Sequence, residues 1–178
     1  MDENRSKSKK RIMFIESEDY YFITYNLLLI LYKFNCLSID TAFKYPEKLA
    51  SLIYFISNYK NINLFKMAID KNIILNSTDK ERILDIYAKS KIIKKDLLRI
   101  LFALERKKII NLIKNDEVIE VSVNMNSLGK DFFKNRLFNI EMDNIDEIKK
   151  IWSRLRTVKY STYYDKIFKE NGVAKWDS

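Results

Sequence analysis

The chain has 178 residues, 47% of them hydrophobic, which suits one ordinary domain with a buried core and excludes global disorder. Two glycines and one proline are too few for a turn-rich all-β fold, so long helices with short polar connections are expected. A net charge of +9 implies either an anionic partner, nucleic acid being the usual one, or a solvated lysine-rich surface.

Residues 1–11 are polar, mixed in charge and basic at the end, and read as a flexible basic tail. Arg11–Ile15 suits a short strand, and Glu16-Ser17-Glu18-Asp19 a helix start with acids at the positive pole. Tyr20–Phe34 is then almost continuously apolar, the pattern of a central helix. Its most apolar window, Tyr20–Tyr32, is shorter than the roughly 20 residues that a membrane span needs. The first residues carry no apolar signal-peptide region, and the single cysteine suits a reducing compartment, so a cytoplasmic protein is expected. Cys36, the only cysteine, allows no disulfide framework and reads as a small buried hydrophobe.

Ser38 or Asp40 can cap a segment Thr41–Tyr45 that Pro46 interrupts. Lys48–Tyr59 reads as a helix with Leu49, Leu52, Ile53 and Ile56 inward, and Asn61–Asn72 as another with Leu64, Phe65, Ala68 and Ile69. Ser77-Thr78-Asp79 with Glu81 is close to a capping box. A helix carrying Ile83, Leu84, Ile86 and Tyr87 should follow, with a connection at Ile92-Ile93 and a second helix over Lys94–Lys108. Ile109–Lys114 and the alternating Val118–Asn124 make a hairpin about Asn115-Asp116. Helix, turn, helix and hairpin is the winged-helix order; the bland alternative is an αα-hairpin with a β-ribbon attached. Ser127 can cap a helix through Leu128, Phe132, Phe133 and Leu137. Asp143 or Asn144 opens a last one, with Ile145, Ile148, Ile151, Trp152 and Leu155 on one face.

The expected fold is therefore mainly α (α+β), one compact domain overall. It comprises a helical part over 12–76, a winged-helix-like unit over 77–126, and C-terminal helices with a basic aromatic arm over 127–178.

Histidine is absent, which removes the commonest general base and metal ligand. Gly129 and Gly172, the only glycines, cannot build a phosphate-binding loop. The carboxylate pairs Asp79/Glu81 and Asp143/Asp146 sit at helix starts, where the helix dipole accounts for them. No enzyme, cofactor or metal is expected. On a helical wheel Lys95, Arg99 and Arg106 fall on one line, with Phe102 at its edge, opposite Leu97, Leu98, Leu101 and Leu104. With Lys114 near the wing, these cations are the candidate nucleic-acid contacts, although Glu117 and Glu120 oppose phosphate there. Arg154, Arg156, Tyr160, Tyr163 and Tyr164 are the candidate partner-binding residues, since Arg and Tyr anchor interfaces. Trp152 reads as core.

Two stretches carry a resemblance. Tyr25-Asn26-Leu27-Leu28-Leu29-Ile30-Leu31-Tyr32 and Thr41-Ala42-Phe43-Lys44-Tyr45-Pro46-Glu47-Lys48-Leu49 resemble early elements of the middle components of ABC-three-component systems, a group that includes the Lamassu-type anti-phage defence systems. The resemblance covers roughly the first third of the chain. It implies a winged-helix, kite-like, non-catalytic accessory subunit of a bacterial assembly, bound to an SMC-like ATPase and working beside a nuclease effector. Double-stranded DNA is a candidate further partner. A free-standing winged-helix transcriptional regulator is the alternative that the residues leave open.

Overall fold

A computed structural model describes residues 20–129, 131–134 and 136–173. The expected strand at Arg11–Ile15, the helix start at 16–19 and the tail at 1–11 lie outside them. The described chain runs α1 (Tyr20–Lys33), β1 (Phe43–Lys44), α2 (Leu49–Ile56), α3 (Tyr59–Ile69), α4 (Ser77–Arg106), β2 (Ile110–Asn115), β3 (Val118–Val123), α5 (Asn139–Ile151) and α6 (Tyr160–Tyr164). It is mainly helical, with a small three-stranded antiparallel sheet. None of the described helices is long and apolar enough to cross a membrane.

Helix α1 is central, as its composition predicts. Phe22, Ile23 and the whole run Asn26–Leu31 are buried. The side-chain amide of the buried Asn26 donates to the Phe22 carbonyl one turn back, at 3.0 Å, whereas its Oδ1 has no hydrogen-bond partner among the described residues. Helix α2 hides Leu49, Leu52, Ile53 and Ile56, and α3 hides Leu64, Phe65 and Ala68. Asn58 starts α3 by accepting from the Asn61 amide. Helix α5 packs across α1, α2 and α3. Lys33–Asp146 and Lys66–Glu147 ion pairs tie it down, and Asn144 donates to the Ile56 carbonyl at 2.8 Å.

Several expectations are corrected. Thr41–Tyr45 is not helical: Phe43 and Lys44 form β1, paired with Val121 and Glu120. The break at Ile92-Ile93 does not exist, because residues 77–106 are one helix of 30 residues, about 45 Å long. No turn separates a helix pair before the hairpin. Ile83, Ile86, Ser90, Ile93, Leu97, Ile100 and Leu104 form its buried seam, with spacings alternating three and four, and neither Gly nor Pro interrupts it. The capping side chain is Asn76, which accepts from the Asp79 amide at 2.8 Å, rather than one from Ser77–Asp79. Where a helix through Leu128, Phe132, Phe133 and Leu137 is expected, the described residues form short 3-10 turns at Phe132–Lys134 and Arg136–Phe138. Helix α5 begins at Asn139, ahead of Asp143.

The hairpin forms as expected, with its turn one residue later. Asn115 faces Val118, so Asp116 and Glu117 are the two turn residues, and Asp116 takes the left-handed conformation at φ 53°. The sheet order is β1-β3-β2. Being central, β3 is covered on both sides from Glu120 to Val123, where simple alternation predicted one wet face.

Candidate functional site

The end of α4 and the hairpin form one surface, joined by a tight helix stop. Lys108 has φ 58°, and the amides of Lys108 and Ile109 donate back to the Glu105 and Leu104 carbonyls at 2.8 and 2.9 Å. This is a Schellman closure, with lysine where glycine is usual. Asn124, just beyond β3, donates its side-chain amide to the Lys108 carbonyl at 2.9 Å and so locks the helix end to the hairpin.

Lys95, Arg99 and Arg106 are all exposed along the outer face of α4. Arg99 holds Asp96 at 3.1 Å, so part of its charge is spent within the helix. Phe102 is 55% exposed and, seven residues from Lys95, lies on the cationic line itself rather than at its edge. Ile92, 69% exposed, flanks the same line. Lys114 is exposed on β2 and lines a cavity of about 270 Å³ between α4 and the hairpin, with Leu98, Leu101, Phe102, Leu112 and Ile119 among its walls. Sequence reasoning found the cations and missed this apolar groove. Its walls come from three elements, and the exposed Phe102 was the one local signal.

The acidic residues near the groove divide by environment, and Glu105, half-buried on α4, lines the groove itself. Asp116 and Glu117 are exposed at the hairpin tip. Glu120 is buried in the sheet, where Lys44 on β1 pairs with it at 3.1 Å, so it faces a lysine rather than any ligand on the wing. Among the described residues no three acidic or cysteine side chains converge as a metal site.

The C-terminal candidates do not form a free arm. Tyr163 is completely buried, bonded through its hydroxyl to Ser51 at 2.7 Å and stacked near Trp152. Burial drives its phenol well above the ordinary range. Tyr164 is half-buried against Tyr87 and Phe168, and Tyr160 is half-buried under the Lys94 ammonium. The Arg156 carbonyl accepts from the Lys44 amide at 2.9 Å, extending the sheet edge. Of the five, Arg154 alone is exposed. Tyr163 is thus a core residue.

Comparison with protein-family profiles, with curated proteins and with solved structures gives no match.

Proposed function

We propose that this protein is a non-catalytic accessory subunit that binds a larger partner through the α4–hairpin face. In keeping with the resemblance of its first third, the partner is the SMC-like ATPase of a bacterial anti-phage defence complex that also contains a nuclease effector. The observation that carries the reading is the exposed Phe102 set among Lys95, Arg99 and Arg106 beside an apolar groove. Large apolar groups left in water on a cationic face mark a binding surface. The sheet supports a winged-helix origin. A strand from between the first two helices pairs with the far strand of the hairpin. DNA is a secondary partner on the same cations, opposed by the acidic tip Asp116-Glu117.

Co-expression with the products of neighbouring genes, followed by affinity capture, tests this. The expected result is stable recovery of a large ATPase, lost when Phe102→Asp is introduced and retained with a distant surface change such as Lys60→Glu. Duplex binding measured across a salt series then locates DNA. Each of Lys95→Gln and Arg106→Gln should lower the slope of log affinity against log salt by about one if the residue touches phosphate. Recovery of the chain alone, binding one specific duplex, leaves a transcriptional regulator instead.

A further inference from the structure

The outer edge of the sheet offers a second interaction surface, which shares Leu112 and Lys114 with the groove described above. β2 ends the sheet, and nothing pairs beyond it among the described residues. The direction of its backbone groups follows from β3. The Ile119 carbonyl and the Val123 amide bond toward Tyr45 and Cys36 on the β1 side, so Val118, Glu120 and Ser122 point at β2. Their partners Asn115, Ile113 and Asn111 point back, which turns the N–H and C=O groups of Ile110, Leu112 and Lys114 outward.

The charges at the two ends of this strand are opposite. Lys107 and Lys108 lie in the stop of α4, separated from β2 by Ile109; Asp116 and Glu117 immediately follow the strand, and all four are exposed. A lone lysine on an edge discourages pairing. A positive end and a negative end on the same edge instead match a second copy running antiparallel. We infer that the chain forms a two-fold dimer by antiparallel pairing of β2 with β2 of a second copy, centred on Leu112. Ile110 then faces the second copy's Lys114, and the stop of α4 that carries Lys107 and Lys108 comes to the same end of the joint as the second copy's Asp116-Glu117 turn, twice by symmetry. The outward groups of Ile110, Leu112 and Lys114 are in phase for this register, which joins the two sheets into one of six strands. Other chemistries fit the edge less well: a polyanion meets Asp116 and Glu117, and the chain's own basic segment Lys7–Arg11 meets Lys107 and Lys108.

Sedimentation equilibrium of the full chain over a wide concentration range, with amide exchange at Leu112 and Lys114, tests this. The expected result is a monomer–dimer equilibrium with slowed exchange at both amides in the dimer. The pair Lys107→Glu with Lys108→Glu should weaken the dimer about tenfold or more, as should Asp116→Asn with Glu117→Lys. Combining all four changes in one chain should restore it, and thermal melts of each variant check the fold. A monomer at every concentration, a dimer indifferent to both charge sets, or protection of the two amides only when duplex DNA or another protein is added would each overturn the inference.

Discussion

Lys48 places an ammonium group in the core. It is fully buried, its ammonium donates to the Leu155 and Val158 carbonyls at 2.7 Å each, and it lies over the Phe43 ring at 4.7 Å. It therefore pins the chain after α5 to the start of α2. Burial pushes its pKa down to about 7. Above that pH the unfolded chain still holds the proton that the folded chain has lost, so Lys48 makes stability rise with pH from about 7 toward the ordinary lysine range, with no further change below 7. Cys36 works in the opposite sense. Its buried thiol is pushed up to about 12, so stability falls once the unfolded thiol ionises. Urea melts of the native protein and Lys48→Met at pH 7 and 8.5 separate the two. The variant should be less stable at pH 7 by about 1–3 kcal/mol, from two carbonyls left unpaired, and its stability should lack the upward slope. The chain has no histidine, so no imidazole titration overlaps this window.

At the scale of elements, helix α4 shows what local reading captures and what it misses. Its start, its apolar content and the hairpin behind it were all legible. The continuity was legible too, in the unbroken three-and-four spacing from Ile83 to Leu104. Reading Ile92-Ile93 as one apolar step hid it: Ile93 belongs to the seam, while Ile92 points to water. β1 and the 3-10 turns Phe132–Lys134 and Arg136–Phe138 were not legible. Two residues become a strand only because β3 lies beside them, and Phe133 and Phe138 are buried without helical periodicity, stacked against Tyr32 and Tyr25. The stop of α4 leads to a prediction. Lys108 holds a left-handed conformation that disfavours a β-carbon, so Lys108→Gly should stabilise the protein by about 1 kcal/mol and raise Tm by about 2–4 °C in a calorimetric melt. The same change at Lys107, which caps α4 at φ −82°, should bring no such gain.

Across the whole molecule, the C-terminal stretch changed meaning most between sequence and structure. Its cations and tyrosines have the composition of an interface, and composition alone does not distinguish an outer surface from an inner one. The partner that decides the matter for Tyr163 is Ser51, 112 positions away. Ile167 and Phe168 are buried with it, in a π-helical turn over Asp165–Lys169. Tyr163→Ala should cost about 3–5 kcal/mol in urea unfolding, a loss that an exposed anchor would not show. The candidate site was legible only as charges, because the groove beside them exists once α4, β2 and β3 have met. The burial of Tyr163 also bears on biosynthesis. Translation proceeds at about 5–20 residues per second from the N-terminus, so the nascent chain exposes an unfilled apolar seat at Ser51 until residues 163–168 have left the ribosome. A message truncated before that point yields a polypeptide for chaperones and proteases, not a shorter working protein.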